Sequence, residues 1–331
     1  IKQIVIKIYQ LGFFDAVKLF IKKINDKFTI NYLTINLVKK SHKINSPLIL
    51  ITQIQRSGGT LLSQLFDNHK QIYAYPNELT IWKPKWEFKT LEKKFSKLDN
   101  NYINYFALNS EYKKESKSKW NKSYKFYFDL MAQKKIYSQN ILKNSSQRSI
   151  LNAYFTSFFS SWINYRNILN NKKYITAFIP RVNTSSQSLK YFFKNYPDGK
   201  IITIVRDPLD WLASAKNHNP TSYSDFSYAL NLWKKSTNAS MRLIKKNQAI
   251  GVTFFDLVKN TKKTMNYICK VIKIPIEDTI YVPTFNGEPI LSDSSFKSVE
   301  GVIDKKTLNR KKNSFSKLEK KELKKLFTLQ L

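Results

Sequence analysis

Seven glycines are scattered through 331 residues, and two of them stand side by side in Gln55-Arg-Ser-Gly-Gly-Thr-Leu61. Gly58 and Gly59 free the backbone for a tight turn and a close approach to a ligand. Arg56 contributes a planar fork of N–H donors, and Ser57 and Thr60 contribute hydroxyls. A helix starting at Thr60 adds backbone N–H groups and the positive end of its dipole. Together these parts suit a tetrahedral oxyanion. The spacing departs from the GxxxxGK[ST] phosphate loop, because no lysine follows Gly59. Taken alone, the stretch also reads as a plain Gly-Gly turn from strand to helix.

A second cluster, Ile204-Val-Arg-Asp-Pro-Leu-Asp-Trp-Leu-Ala-Ser214, sets Arg206 at the end of an apolar run. Ser214 follows eight residues later, about two helical turns on. Such a pair grips a second phosphate on the same face of a sheet. Lysines outnumber arginines fifty to seven, so arginine is expected where its fork geometry matters. Arg56, Arg181 and Arg206 all fall at the ends of strand-like runs or in loops.

Proton transfer needs a base near the cradle. Glu78 is preferred, because it follows the first helix and the next strand-like run. His69 is the rival, although a histidine after a helix also complements the dipole. The same dipole reading covers His218. Lys83 and Lys85, just beyond Glu78, would line an acceptor channel. Three histidines and one cysteine, Cys269, offer no zinc-ligand spacing, so no metal site is expected.

These residues need a frame. Pro47 to Ile54 is a compact apolar run that reads as a buried parallel strand. From Thr60 to Asn68, Leu61, Leu62, Leu65 and Phe66 recur at helical spacing. Gln71 to Tyr75 reads as a short strand ending at Pro76. Tyr174 to Ile179 is a strand, followed by Pro180-Arg181 and a helix from Ser186 to Asn195. Lys200 to Val205 is the clearest strand, and Pro208 suits the first turn of a helix ending at His218. A helix over Phe226 to Lys246, a strand over Ala249 to Phe255 and a helix over Lys259 to Lys273 follow. Asp256 reads as a structural carboxylate, capping a helix or fixing a loop.

Strands alternating with helices predict an α/β fold, a three-layer sandwich around a central parallel sheet. Residues 1–45 read as an amphipathic helical segment through Ile4, Ile8, Leu11, Val17, Phe20, Ile21 and Ile24. It would pack on the main domain or on a partner, or make peripheral membrane contact. Residues 46–331 form the main domain, with 85–172 as a helical, acceptor-side insertion.

RSGGTLL followed by IVRDPLDWLASA resembles the sulfotransferases that use PAPS, 3′-phosphoadenosine 5′-phosphosulfate. DNHKQIYAYPNEL and PTFNGEPILSDSSF are similar to bacterial members and to the tyrosylprotein branch. The resemblance covers residues 47–80 and 174–310 and implies the P-loop-nucleotide-kinase-like sulfotransferase fold. It implies that Arg56, Ser57, Gly58, Gly59, Thr60 and Leu61 hold the 5′-phosphosulfate, and that Arg206 and Ser214 hold the 3′-phosphate. It implies catalysis by Glu78 as base, with Arg56 serving the leaving group. It also places Ser294, Ser295 and Arg310 near the phosphates of PAPS. The RKG motif of the cytosolic branch is absent.

Composition bounds the rest. A hydrophobic share of 42% and an aromatic share of 15% exclude a disordered chain. No run of 18 apolar residues reads as a spanning helix. No leader pattern is seen, and a lone cysteine allows no internal disulfide, so a cytoplasmic location is expected. The net charge of +34 would attract polyanions. Its lysines are spread along the chain, however, and no nucleic-acid motif accompanies them. The expected activity is in-line sulfuryl transfer from PAPS, without a metal, to a hydroxyl or amine, with a carbohydrate or glycoconjugate as acceptor. A phosphate-loop nucleotide kinase and a basic nucleic-acid- or polyanion-binding protein are the alternatives. Convergence of Arg56 and Arg206 on one pocket would separate them.

Overall fold

The computed structural model describes residues 32–79, 110–112, 124–126, 128–141, 146–167, 172–291, 299–308, 315, 319 and 321. Residues 1–31, Lys83, Lys85, Ser294, Ser295 and Arg310, all carrying expectations above, lie outside the described residues. After a helical stretch over 32–39 come β1 (Leu48–Ile51), α1 (Gly59–Phe66), β2 (Ile72–Glu78), β3 (Ser110–Tyr112), β4 (Tyr124–Phe126), α2 (Leu130–Asn140) and α3 (Gln147–Ser161). Then come β5 (Tyr174–Phe178), α4 (Ser186–Asn195), β6 (Lys200–Val205), α5 (Pro208–His218), α6 (Phe226–Lys245) and β7 (Ile250–Thr253). The last are α7 (Phe254–Lys259), α8 (Thr261–Ile272), β8 (Thr284–Phe285) and β9 (Glu288–Pro289).

The chain divides into two compact units, one of residues 1–44, 98–112 and 125–164, the other of 45–97, 113–124 and 165–331. In the first, Asp129 caps α2 by accepting from the N–H groups of Met131 and Ala132, and Ser146 caps α3. Phe126, Phe128, Phe158 and Trp162 pack ring against ring, with Phe126 and Trp162 centroids 4.8 Å apart. The stretch 85–172 is not wholly helical as expected: β3 and β4 form a two-stranded sheet within it.

The second unit carries the central sheet, in the order β2-β5-β1-β6-β7 with every pairing parallel. Strand β1 lies in the middle, and its four aliphatic residues are fully buried. That is why it reads as a continuous apolar run rather than an alternating one. Burial of each such side chain contributes about 1.5–3 kcal/mol.

Two boundaries differ from the sequence reading. Strand β2 does not end at Pro76 but runs to Glu78. It is an edge strand, where a missing N–H is tolerated, and its register with β5 shifts between Ala74 and Glu78. Strand β7 stops at Thr253, and Phe254 and Phe255 belong to α7. Thr253 Oγ1 accepts from Asp256 N and donates to Asp256 Oδ2, so the hydroxyl–carboxylate pair starts a helix where the apolar run continues. The helix expected from Lys259 to Lys273 is accordingly the separate α8. Thr253 is the cap, and Asp256 has a structural part in the first turn: its carboxylate accepts from Thr253 Oγ1 and from Asn260 Nδ2. Among the described residues no helix is long and apolar enough to cross a membrane.

Candidate active site

Parallel strands bring their C-terminal ends to one edge of the sheet. Adjacent strands lie about 4.8 Å apart, so the strand order is a map of that edge. Glu78 ends β2, Arg181 follows β5, the Gln55–Thr60 loop follows β1, Arg206 follows β6 and Phe254 follows β7. The loop stands at the centre, with Arg181 and Glu78 toward one side and Arg206 toward the other. A cleft of about 320 Å³ runs along this edge, lined by Arg56, Gly58, Gly59, Thr60, Leu61, Glu78, Arg181, Arg206 and Ser214.

The loop's shape answers why two glycines adjoin. Gly58 is the N-cap of α1 at φ 98°, and a Cβ there would stand 2.7 Å from the Phe254 ring. A Cβ on Gly59 would lie 2.4 Å from Phe178 and 2.5 Å from Gln53 Nε2. The glycines are thus required by contacts with the protein itself, not only by a ligand's approach. Leu62 N–H donates to Gly58 O. Gly59 N–H, with the Gln53 amide turned to satisfy both its neighbours, donates to that side chain. Thr60 and Leu61 supply the next N–H groups at the helix start, where no intrahelical acceptor exists and Gly58 offers no side-chain cap.

Arg56 sits at φ 65° and Arg181 at φ 68°. Two non-glycine residues in left-handed backbone at one cleft are strained positions, each costing about 1–3 kcal/mol, that the surrounding bonds must hold. Those bonds are present. Trp211 Nε1 donates to Gln55 O at 2.8 Å, and Arg206 Nη1 donates to Arg56 O at 2.7 Å. Ile54 N–H donates to Ser236 Oγ, and Arg181 N–H donates to Gln53 O. Arg181 Nε donates to Gln55 Oε1 at 2.6 Å.

Arg206 is 5% exposed, and its guanidinium lies 4.0 Å from the Phe254 ring centroid. Its Nη2 donates to Thr307 O. Buried Ser214 and exposed His218 lie one turn apart on α5, and both line the cleft. Asp207 caps α5 by accepting from the N–H groups of Leu209 and Asp210, with Pro208 in the first turn. The second cluster therefore does two jobs: Arg206 and Ser214 face the cleft, while Trp211 and Arg206 hold the first loop.

Glu78 is exposed at the lip. Loss of water on its protein side raises its carboxyl above the ordinary value, and Arg56 and then Arg181 pull it back down. A carboxylate so placed is a stronger base than a fully solvated one.

The other expected residues are placed elsewhere. Ser57 is buried and is not among the lining residues. His69 is fully buried at the opposite end of β2, away from the cleft. Its Nδ1 accepts from Gln71 N–H, so Nε2 carries the proton toward Pro275 O at 3.0 Å. It has no proton-accepting atom to offer a substrate.

Residues the sequence reading missed include Gln64, Phe178, Tyr223 and Phe254, which line the cleft, as do Asp304 and Thr307 late in the chain. Only Gln64 carried a usable signal, a polar residue four positions after Thr60 on the same helix face. Arg56 Nε and Gln64 Nε2 are buried without a hydrogen-bond partner among the described residues. Two donors left over beside a glycine cradle fit an anionic ligand carrying spare acceptor oxygens.

Residues 47–278 match the family model described as "Sulfotransferase family". No curated protein matches the chain. The sulfotransferase domain from the Synechococcus PCC 7002 olefin synthase has a similar structure at 16% identity, over 87% of this chain and 96% of that one, with a TM-score of 0.52. The sulfotransferase domain from the curacin biosynthetic pathway aligns at 15% identity over 82% and 92%, with a TM-score of 0.48. With more than half its length inside the family model, and Arg56 and Arg206 meeting in one cleft, the chain belongs to the sulfotransferase family.

Proposed function

We propose that the protein moves a sulfuryl group from PAPS to a hydroxyl or amine on a carbohydrate or glycoconjugate, with Glu78 as the base. The observation that carries this reading is the bond from Arg206 Nη1 to Arg56 O. It ties a second cationic site to the oxyanion cradle inside one cleft, about one strand spacing away. A nucleotide with phosphates at both its 5′ and 3′ positions matches two such sites.

PAPS, when bound, supplies the electrophilic sulfur and a phosphate leaving group. In this reading Arg56 and the N–H groups of Thr60 and Leu61 hold the 5′-phosphate. They also neutralise the charge that grows on the bridging oxygen as the sulfur–oxygen bond to phosphate breaks. Arg206 and Ser214 hold the 3′-phosphate. Glu78 takes the proton from the acceptor as the new sulfur–oxygen or sulfur–nitrogen bond forms. Arg181, between Glu78 and the loop, faces the sulfonyl oxygens and keeps the two carboxyl-bearing and anionic partners in register. The basic charge of the chain also suits an anionic acceptor.

The test is a thermal-shift titration with PAP, the desulfated nucleotide, beside ADP and ATP with magnesium. Binding to the folded state raises the melting temperature by mass action. PAP should stabilise the wild type well beyond ADP, and Ser214→Ala and Arg206→Ala should each narrow that gap. Equal stabilisation by PAP and ATP–magnesium, or none by either, would sink the assignment of PAPS.

A further inference from the structure

Gln64 is a cleft residue that no motif explains. It is 5% exposed, lines the cleft, and its Nε2 has no hydrogen-bond partner among the described residues. Its neighbours Leu62, Leu65 and Phe66 fill the apolar core. A buried amide without an acceptor costs free energy that an aliphatic side chain at the same place would avoid.

Two facts fix where the amide is directed. Gln64 lies four residues after Thr60 and three after Leu61, so the three share one face of α1. Helical side chains tilt toward the helix N-terminus, which carries the amide back to the cradle. Helix α1 also packs on β2 and β5, the half of the sheet that ends in Glu78 and Arg181. Arg206 and Ser214 belong to the other half. Gln64 therefore lies on the side of the cradle away from the second cationic site.

We propose that Gln64 Nε2 donates a hydrogen bond to a sulfonyl oxygen of the bound sulfuryl donor, on the far side of the cradle from the 3′-phosphate. This rests on the reading of PAPS as the donor. A neutral amide is suited to that position. It orients the sulfonyl oxygens while Arg56 stays with the leaving phosphate, where charge grows.

The experiment is calorimetric titration of PAP and of PAPS, without acceptor, into wild type, Gln64→Met and Gln64→Leu. Methionine keeps the length of the side chain and leucine keeps an apolar one, so either folded variant suffices. The expected result is that PAPS weakens about tenfold more than PAP in the variants, the effect of one lost hydrogen bond to a charged group. A purely structural Gln64 would shift the ligand-free melting temperature and leave the ratio of the two affinities at its wild-type value, which overturns the proposal. A wild type that binds neither nucleotide overturns the reading of the donor, and this inference with it.

Discussion

The two ends of the central sheet both carry buried or half-buried ionisable groups, and they are built oppositely. At the C-terminal end, Arg56 and Gln64 keep N–H groups that no described residue uses. At the N-terminal end, Asp67, His69 and Lys172 have each found protein partners. The Asp67 carboxylate accepts from Thr284 Oγ1 at 2.9 Å and Gly287 N at 2.8 Å, so it holds the turn between β8 and β9. His69 is bonded through both ring nitrogens. Lys172 Nζ donates to Lys70 O at 3.1 Å and to Asn167 Oδ1. A list of Asp, His and Lys would make the N-terminal end look like the catalytic one. The unused Arg56 and Gln64 N–H groups beside the glycine cradle instead suit the other end to an anionic ligand.

The largest effect expected from this contrast is on the rate. Glu78→Gln should lower kcat by about 10²–10⁴-fold, the usual span for a general base, while PAP still raises the melting temperature. His69→Gln should do the reverse. It breaks at least one of two buried hydrogen bonds, costing about 1–3 kcal/mol in stability, and leaves kcat of the folded enzyme near wild type. Loss of turnover in folded His69→Gln, with Glu78→Gln active, would exchange the two assignments.

Next in size is the glycine pair. Gly59→Ala places a methyl group within 2.6 Å of the Phe178 ring and the Gln53 amide, and Gly58→Ala adds strain at φ 98° beside Phe254. Each should destabilise the fold by about 1–3 kcal/mol and abolish stabilisation by PAP. Denaturant unfolding with and without PAP measures both. An alanine variant that unfolds like wild type would mean the loop relaxes and that the contact is not what demands glycine.

Much of this frame was legible beforehand, and the misses have physical causes. Helix α4, strand β6 and helix α5 follow from local signals, apolar runs and Pro208 in the first turn, and the structure adds Ser185 and Asp207 as caps. Long-range bonds leave no such trace. Nothing local distinguishes Trp211 as the residue that grips Gln55 O, and nothing in the 219–223 segment announces that Tyr223 will line the cleft. His69 looked chemical because residue type was visible and its partner Pro275, 206 positions away, was not. Gln64 shows only half of its case in the sequence: its spacing from Thr60 is visible, but that its amide lacks a partner is not.

The rate and the stability should also answer pH differently. Desolvation raises the Glu78 carboxyl, and Arg56 and Arg181 only partly offset it. A base works when ionised, so kcat/KM should rise with pH through a value above that of an ordinary glutamate and then level. Arg181→Gln removes one of the opposing charges and should move that limb to still higher pH. A limb at or below the usual glutamate range, or one that Arg181→Gln shifts downward, would argue against Glu78 as the titrating base.

The smallest effect belongs to the opposite end, and it concerns stability alone. Burial lowers the Lys172 ammonium from 10.5 to about 8, against smaller opposing pulls from Glu277 and Asp67. Between those two values the unfolded chain binds more protons at this site than the folded one. Stability contributed by the site therefore increases as pH rises through that window. Lys172→Met removes the titrating group, so the stability difference between wild type and variant should shift in favour of wild type from pH 8 to pH 10. Comparing the two cancels the background from the other lysines. Unfolding in urea at each pH supplies the measurement, and kcat of the folded variant should stay near wild type throughout. A pH-independent difference would mean that Lys172 titrates alike in both states. A fall in kcat would mean that the two ends of the sheet are coupled, contrary to the separation drawn between them.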